Sequence, residues 1–530
     1  MAATTMNAAP AASKPQAEPE ISTRRIVAFF AMVFGMFMSI LDIQIVSASL
    51  AEIQAGLSAG SDEIAWVQTS YLIAEVVMIP LSGTLARIMS TRVLFTISAA
   101  GFTLASLLCA TATNIEQMII YRAIQGFIGG GMIPSVFAAA FTIFPPSKRS
   151  IVSPIIGLVA TLAPTIGPTI GGYLSHAFSW HWLFLVNIIP GILVTIAAWN
   201  LIDFDKPELS LVKKFDWWGL VSMAVFLGSL EYVLEEGNNK DWFSDEHIVI
   251  GSVAVVIGAV VFFYRAFKVD FPVVDLKAFA NRNFAFGSLF SFVMGIGLYG
   301  LTYLYPLFLG RIRGYDSLMI GETMFVSGLA MFLTAPIAGA LSNRIDPRAM
   351  MMMGFFGFGL GTYMMSFITA DWDFNELLVP QILRGCSLMI CMVPINNIAL
   401  GTLPPDRIKN ASGLYNLTRN LGGAVGLAII NTVLTSRTDQ HYARLSEHIQ
   451  WGNPAAMEWL KSVGANFSSY GLDGTTAAIK KLSGLVTQQA WLMSFGDVFT
   501  GLTVLFGMLI FMVLLIKKPA AAAGGGGGGH

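Results

Sequence analysis

The chain has 530 residues, of which 55% are hydrophobic and only 12% are charged, and its mean hydropathy is +0.67. Soluble domains carry about 25% charged residues, so this composition excludes an ordinary soluble protein and indicates a membrane protein. The 31 Lys and Arg residues nearly balance the 32 Asp and Glu residues, so the net charge gives no indication of a nucleic-acid partner.

The two ends of the chain differ from the rest. Residues 1–23 are predicted to form a disordered cytoplasmic leader, because they are rich in Ala and Pro and lack apolar periodicity. Arg24 and Arg25 then precede an apolar run that is longer than the hydrophobic region of a signal peptide, so we interpret this run as an uncleaved first helix. Residues 519–530, rich in Ala and then Gly, resemble an appended tail and are excluded from the fold.

Apolar windows of roughly 20 residues predict fourteen transmembrane helices. They lie near residues 26–49, 64–86, 93–112, 117–143, 150–176, 182–202, 217–234, 248–267, 284–309, 319–341, 349–369, 378–402, 410–434 and 495–516. The predicted fold class is therefore an all-α integral membrane bundle. Its domains are an N-terminal six-helix half (24–203), two extra helices with their linkers (204–283) and a C-terminal six-helix half (284–518).

Positive charges in the loops predict the orientation. Nearly all Lys and Arg residues of the short loops fall on the side of the N-terminus, and the short loops of the other side contain only Lys240, Arg311 and Arg313. Since positively charged loops stay in the cytoplasm, both termini are predicted to be cytoplasmic. The even number of helices agrees with this orientation.

The two halves of the chain show an internal repeat. Four residues at the end of the second helix recur after 256 residues: Pro80, Gly83, Leu85 and Arg92 correspond to Pro336, Gly339, Leu341 and Arg348. Arg122, in the fourth helix, likewise has a counterpart in Arg384, in the fourth helix of the second half. Repeated halves around a central site are typical of secondary transporters.

The segment 435–490 is the only long connection that the hydropathy pattern leaves between helices, and it is predicted to lie outside the cytoplasm. It contains stretches compatible with a helix and several aromatic residues. One interpretation is a surface lid that packs on its own protein. The alternative is a docking surface for an extracytoplasmic partner.

Ionisable residues inside the predicted helices are the first candidates for function, since each costs roughly 2.5–3.5 kcal/mol at the bilayer centre. They are Asp42, Glu75, Arg122, Glu231, Glu235, Glu322, Arg384 and Arg419. We interpret the acids and Arg122 as candidates for proton coupling or substrate binding, and the last two arginines as buried charges of the second half. For each residue the alternative is a structural ion pair or an interfacial position.

Asp42 is the leading candidate, because a lone acid in the membrane interior is suited to reversible protonation. Asp42→Asn is therefore expected to abolish pH-driven transport while leaving the protein folded. Arg122 either locks a pair of helices or tunes a neighbouring acid. Glu235 and Glu322 lie near helix ends, where solvation is an alternative, and Arg419 is expected to extend towards the inner interface.

The fifth helix contains an unusual set of helix-modifying residues: Pro164, Gly167, Pro168, Gly171 and Gly172. Each proline removes a backbone donor, and the glycines permit close packing or bending. We interpret this set as a hinge or seal between the halves, with a kinked packing helix as the alternative. Gly83, Arg87 and Arg92, around the turn between the second and third helices, are candidates for a gating loop.

Other chemistry is not indicated by the sequence. It contains no Gly-rich loop with a Walker-type Lys, no GxSxG motif and no His cluster with metal-ligand spacing, and its three cysteines lie in apolar runs. We therefore expect a protein that is not an enzyme, has no cofactor or metal, and is not driven by ATP.

Several motifs resemble those of the major facilitator superfamily, and specifically its fourteen-helix drug:proton antiporters of the EmrB/QacA type. They are Arg122-Ala-Ile-Gln125-Gly126, the stretch from Gly157 through Gly167-Pro168 to Gly171-Gly172, Leu41-Asp42, Trp180 to Asn187, Leu230 to Phe243 and Gln489 to Asp497. The resemblance covers residues 24 to 516. The turn after the second helix departs from it, since the acid that the superfamily usually has there is missing. This departure argues against a charge relay through that loop.

The resemblance implies a multi-pass protein of the inner membrane that exports hydrophobic or cationic small molecules in exchange for protons. It further implies a periplasmic membrane-fusion adaptor and an outer-membrane channel, with the segment 435–490 as a contact. Two alternatives remain at this point: a dedicated exporter of one metabolite, siderophore or lipid-like compound, and a polytopic membrane enzyme acting on lipid-linked substrates. A sensor is disfavoured because no signalling domain follows.

Overall fold

The structure, a computed structural model, describes residues 21–145, 148–449, 452–469 and 473–516. Within these ranges every regular element is a helix, and thirteen segments are long and apolar enough to cross a membrane. The predicted all-α membrane bundle is therefore confirmed. Residues 1–20 of the predicted leader and the tail 519–530 lie outside the described residues.

The long helices are labelled α1 to α14 in chain order. They are α1 (Thr23–Ala48), α2 (Trp66–Met89), α3 (Thr91–Ala110), α4 (Ile115–Gly129, resumed by Met132–Ile143), α5 (Arg149–Ala177), α6 (Trp182–Leu185, resumed by Ile188–Leu201), α7 (Trp217–Glu236), α8 (Glu246–Lys268), α9 (Arg282–Phe308), α10 (Ser317–Ser342), α11 (Pro347–Met365), α12 (Phe374–Gly401), α13 (Ile408–Glu447) and α14 (Gly474–Met512). The 19-residue α11 stands at the predicted eleventh span and packs against α12 and α14. It is less apolar than the other thirteen helices and is not among the segments that are long and apolar enough to cross a membrane.

Helices are the expected solution for such a sequence, because backbone groups in a bilayer must bond within their own segment. Polar side chains begin several of them: Ser22, Asn114 and Asp216 each accept a hydrogen bond from a backbone N–H in the first turn of the helix that follows. The outer surface is apolar, with Ile189 74% and Phe511 75% exposed. Such a surface suits contact with lipid.

Short connections reverse the chain between successive helices and define two faces of the bundle. We call the face where α1 begins and α2 ends the Thr23 face, and the face where α2 begins the Trp66 face. The N-terminal half packs against the C-terminal half through α2 with α13 and through α5 with α10. On the Thr23 face the halves touch directly: Ser153 Oγ donates to Asn397 Oδ1 over 2.5 Å, and Lys409 Nζ donates to the carbonyl oxygen of Ala86 over 3.3 Å.

The two extra helices differ in how they join the bundle. They pack on each other, and α7 also packs against α2 and α13. Only 17% of the apolar, membrane-spanning stretch of α8 is buried, so α8 lies at the periphery of the bundle. The position of α7 between α2 and α13 brings one of the extra helices to the interface between the halves.

Most of the segment 435–490 is helical, well beyond the stretches compatible with a helix that the sequence indicates. α13 continues to Glu447, a separate helix spans Pro454–Ser469, and α14 begins at Gly474. His441 Nε2 lies 2.9 Å from Asp497 Oδ2, and Thr438 Oγ1 donates to Ser494 Oγ over 3.0 Å. These contacts tie the extensions of α13 and α14 together. Hydropathy missed them because it detects lipid-facing helices and not polar ones.

Candidate functional site

A cavity of about 660 Å³ lies between the two halves. It extends from Glu75, midway along α2, to Leu50 and Asn238 at the Trp66 face, and α1, α2, α7, α9 and α13 supply most of its wall. Its apolar wall includes Leu72, Val76, Pro168, Leu307 and Leu427. A space of this size with mixed walls suits a drug-sized amphipathic molecule.

Four carboxylates line this cavity: Glu75 from α2 and Glu231, Glu235 and Glu236 from α7. None of the described lining residues is Lys, Arg or His, and none of the four carboxylates has a basic group within 4.0 Å in the described part of the chain. A cation inside the cavity would thus meet carboxylates that form no ion pair within the described part of the chain.

The four carboxylates differ in their hydrogen bonds. Glu236 Oε1 accepts from the hydroxyl group of Thr69 over 3.2 Å, which links α7 to α2. Glu75 is 2% exposed, and its Oε1 atom has no hydrogen-bond partner among the described residues. A buried carboxyl oxygen without a partner is the arrangement expected of a group that binds a proton or a ligand.

Asp42 is not a lone acid, and that part of the sequence interpretation is wrong. Arg122 Nη1 lies 2.6 Å from Asp42 Oδ2, and both side chains are fully buried. Asn187 Nδ2 donates to Asp42 Oδ1 over 2.7 Å, and Gln125 Nε2 donates to the same atom over 3.3 Å. Asp42 therefore belongs to a hydrogen-bonded ion pair outside the cavity wall.

Arg122 joins three helices at this ion pair. Its Nε donates to the carbonyl oxygen of Val67 over 3.2 Å, and its guanidinium carbon lies 4.2 Å from the centre of the Tyr71 ring. Arg122 thus holds α4 against α1 and α2, as expected of a residue that locks helices. In the sequence, Gln125 and Asn187 stand out only as parts of motifs, because nothing in their spacing indicates that both reach Asp42.

Arg384 and Arg419, the two buried arginines predicted in the second half, have no carboxylate partner within 4.0 Å in the described ranges. Arg384 Nη2 donates to Thr302 Oγ1 over 2.7 Å, while Arg419 Nη2 donates to Asn416 Oδ1 over 2.9 Å. Arg419 is 2% exposed, and its guanidinium carbon lies 5.5 Å from the centre of the Phe137 ring of the other half. Arg419 therefore does not extend to the membrane interface, because it is buried where α13 meets α4.

The remaining acids separate into two groups. Glu231 and Glu235 line the cavity, together with Glu236, which was not one of the predicted site residues. Glu322 is exposed on α10 and is not one of the cavity-lining residues. The signal for Glu236 was present in the run Glu235-Glu236 at the end of a predicted span.

The residues of the predicted gating loop pack closely against their neighbours, and their gating role stays a prediction. A Cβ on Gly83 would lie 2.7 Å from the carbonyl oxygen of Lys409, so only glycine permits this approach of α2 to α13. The guanidinium carbon of Arg87 lies 5.1 Å from the centre of the Phe271 ring, and that of Arg92 lies 4.5 Å from the Trp199 ring. The negative charge near the turn between α2 and α3 comes from Asp205, whose Oδ2 atom lies 2.6 Å from Lys409 Nζ.

The proline- and glycine-rich part of α5 packs closely against α1. α5 is one unbroken helix of 29 residues that contains Pro154, Pro164 and Pro168. A Cβ on Gly167 would lie 2.4 Å from Gln44 Cβ, and one on Gly171 would lie 2.7 Å from the carbonyl oxygen of Ile45. The glycines therefore serve helix packing. The hinge role of Pro164, Gly167, Pro168, Gly171 and Gly172 stays a prediction.

Among the described residues no group of three His, Cys, Asp or Glu side chains is placed to hold a metal ion. The site consists of two parts, an acidic cavity between the halves and an Asp42–Arg122 ion pair inside the first half. The position of the cavity between the two halves matches the architecture of a transporter with repeated halves.

Comparison with known proteins gives the same assignment. The Major Facilitator Superfamily model matches residues 32–427. The Acinetobacter baumannii "Colistin resistance protein EmrB" is 42% identical over 486 residues, 92% of this chain and 95% of that protein. The Escherichia coli K12 "Multidrug export protein EmrB" is 29% identical, over 89% of this chain and 91% of that protein. The Neisseria gonorrhoeae "Fatty acid resistance protein FarB" is 30% identical, over 90% and 93%.

A solved structure of the human organic anion transporter TETRAN matches 93% of this chain and 100% of its own, with a TM-score of 0.58 and 13% identity. At this identity the likeness shows the fold alone. The family places the protein among transporters and not among enzymes. The chain belongs to the Major Facilitator Superfamily, in the branch of the EmrB-type multidrug export proteins.

Proposed function

We propose that this protein is a proton-coupled drug efflux transporter that exports hydrophobic or cationic amphipathic compounds. The observation that carries the proposal is the cavity between the halves, which is lined by four carboxylates and by no described basic residue. Apolar walls would hold the body of such a compound, and the carboxylates would hold its positive charge. The names of the relatives, which refer to multidrug export and colistin resistance, agree with this substrate class.

Coupling follows if a proton and a cationic substrate compete for the same carboxylates. Glu75 is the proposed exchange site, because it lies at the inner end of the cavity and Oε1 has no hydrogen-bond partner within the described residues. Protonation of Glu75 would release the substrate, and loss of the proton would restore its affinity. The pH gradient drives an exchange of one proton for one monovalent cation without ATP, and the membrane potential adds about 2.3 kcal/mol per 100 mV for each further positive charge that moves inward.

The proposed topology has fourteen spans and places both termini in the cytoplasm. It counts α11, the least apolar of the long helices, as the eleventh span. In this orientation the closed Thr23 face is cytoplasmic and the cavity extends towards the periplasm. The contact of Ser153 with Asn397 across the halves then belongs to an outward-facing state of the transporter. The proposed location is the inner membrane.

A periplasmic membrane-fusion adaptor and an outer-membrane channel are the proposed protein partners. In the proposed topology the extensions of α13 and α14 and the helix Pro454–Ser469 project on the periplasmic side. Contacts such as that of His441 with Asp497 hold these extensions together. A firm projection of this kind is a suitable contact for an adaptor.

Transport by the purified protein in liposomes tests the function. Ethidium movement under an imposed pH gradient is followed for the wild type, Glu75→Gln and Glu322→Gln. Glu322 is the matched control, because it is an exposed acid outside the cavity. We expect gradient-driven movement in the wild type and in Glu322→Gln and its loss in Glu75→Gln.

Two results would contradict the proposal. Ethidium movement that ignores the pH gradient in the wild type would exclude proton coupling. Gradient-driven movement that is equal in Glu75→Gln and the wild type would exclude Glu75 as the exchange site and direct the test to Glu231 and Glu235.

A further inference from the structure

Arg384 is a buried arginine that has no acidic partner among the residues that the structure describes. Its side chain lies in α12 and is 1% exposed. Nη2 donates to Thr302 Oγ1 over 2.7 Å, whereas Nε and Nη1 have no hydrogen-bond partner among the described residues. An arginine stays protonated in proteins, so this position holds a positive charge and unused N–H donors inside the membrane region.

The first half shows how the same position is normally compensated. Arg122 is the repeat counterpart of Arg384 in the sequence, and it meets the carboxylate of Asp42 at 2.6 Å. In the second half Arg384 instead meets the hydroxyl group of Thr302, a neutral group. Gln381, one turn before Arg384, is also fully buried, and its Oε1 atom has no partner within the described ranges. The repeat therefore retains the arginine and lacks the acid.

Arg384 lies directly behind the cavity wall. Thr302, which accepts its hydrogen bond, is one of the cavity-lining residues. Pro306 and Leu307, about one turn further along α9, also line the cavity and give it an apolar wall beside Thr302. The carboxylates Glu231, Glu235 and Glu236 come from α7, a different helix.

We propose that Arg384, reached past Thr302, forms a subsite for the carboxylate group of an amphipathic organic anion. The planar guanidinium suits a carboxylate, and the neighbouring apolar wall suits its hydrocarbon chain. The glutamates of α7 would repel the same head group, so an organic anion has one favourable orientation in the cavity. The cavity thus accepts cations at one wall and carboxylates at another.

This subsite rests on the transport cavity proposed above, but its test measures binding, so the two proposals can fail separately. The probes are dodecanoate and dodecylammonium, which share a hydrocarbon chain and differ in the sign of the head group. Binding to the full chain in nanodiscs of fixed lipid composition is measured in chloride-free buffer, with empty nanodiscs subtracted. The variants are Arg384→Gln, Arg384→Lys and, as a control at another arginine of the second half, Arg348→Gln.

We expect Arg384→Gln to lower the affinity for dodecanoate by about tenfold or more, as expected for the loss of one charge-assisted contact. Its affinity for dodecylammonium should equal that of the wild type, and Arg348→Gln should match the wild type for both probes. If Arg384→Gln does not fold, Arg384→Lys decides, because lysine keeps the charge but lacks the planar fork. Dodecanoate binding should then fall while dodecylammonium binding is retained.

Two results would overturn the proposal. The first is an equal loss of both probes in Arg384→Lys, which would indicate a structural role. The second is unchanged dodecanoate affinity in the Arg384 variants. If chloride then stabilises the wild type and Arg384→Gln abolishes this stabilisation, the site belongs to a free inorganic anion.

Discussion

Lys409 Nζ lies 2.6 Å from Asp205 Oδ2, and this ion pair connects the start of α13 to the segment that follows α6. The same oxygen of Asp205 accepts hydrogen bonds from the backbone N–H and the hydroxyl group of Thr91, each over 2.7 Å. One carboxylate thereby joins the C-terminal half to the first turn of α3 on the Thr23 face. It stands where the turn between α2 and α3 lacks an acid of its own.

Removing this ion pair should loosen the closed Thr23 face. Asp205→Asn and Lys409→Ala each delete a partly buried pair, which is worth about 1 kcal/mol, or roughly fivefold in the opening equilibrium. The measurement is maleimide labelling of Ser153→Cys in a protein whose three native cysteines are replaced. Ser153 is 2% exposed and contacts Asn397 of the other half. We expect faster labelling in both variants.

Lys206→Ala is the matched control, because Lys206 is exposed next to Asp205 and forms no ion pair among the described residues. Its labelling rate should equal that of the parent protein. Equal rates in all three variants would show that the ion pair does not contribute to closure.

The sequence predicted the spans well, because lipid-facing helices leave a strong hydropathy signal. The observed helices begin or end within a few residues of the predicted spans at positions such as Thr23, Glu236 and Ser342. The polar extensions of α13 and α14 were missed for the same physical reason, since they are stabilised by contacts such as Thr438 with Ser494 and not by lipid.

The site was only partly predictable. Burial of Asp42 and Glu75 could be inferred from their place in apolar runs, but which of them is paired depends on residues far apart in the chain. Asn187 and Asp205 are separated from their partners Asp42 and Lys409 by 145 and 204 residues. Helix packing alone brings these groups together, so a single sequence does not indicate which acid is left free.

Asp42→Asn should destabilise the protein, because it leaves Arg122 as an unpaired charge in the interior. Removing one partner of a buried ion pair costs about 3–5 kcal/mol. Thermal unfolding in detergent should therefore show a lower Tm for Asp42→Asn and a partial recovery in the double variant with Arg122→Gln. Glu75→Gln, at an acid that forms no ion pair in the described part of the chain, should keep the Tm of the wild type. An unchanged Tm in Asp42→Asn would contradict the structural role.

Two glycines of α5 form a matched pair for testing helix packing. A Cβ on Gly167 would lie 2.4 Å from Gln44 Cβ, whereas a Cβ on Gly157 would lie 3.8 Å from its nearest neighbour, Met392 Cβ. Gly167→Ala should cost about 1–3 kcal/mol through overpacking, and Gly157→Ala should stay within about 0.5 kcal/mol of the wild type. Denaturation in detergent measures both changes. Equal stabilities would mean that α1 and α5 separate without cost.

Gly167 also tests the hinge role of α5. A bulky residue such as Gly167→Leu should cause proton leak or loss of exchange in liposomes, because it pushes Gln44 of the cavity wall away from α5. Normal coupled transport in a folded Gly167→Leu protein would argue against the hinge and leave packing as the role of these glycines.

The helix Pro454–Ser469 distinguishes an adaptor contact from a lid. It packs on α14, where a Cβ on Gly474 would lie 2.1 Å from the carbonyl oxygen of Gly464. Replacing residues 450–472 with a short Gly-Ser linker removes this helix and keeps the contact of His441 with Asp497. If the helix binds an adaptor, transport in liposomes should be unchanged while drug resistance of cells falls to that of cells lacking the adaptor. Glu75→Gln, the control, should lose both. Loss of transport in liposomes would identify the helix as part of the transporter itself, and unchanged resistance of cells would leave it as a lid without a partner. The two assays separate these roles because the loss of a contact with another protein lowers resistance in cells but does not change transport by the purified protein.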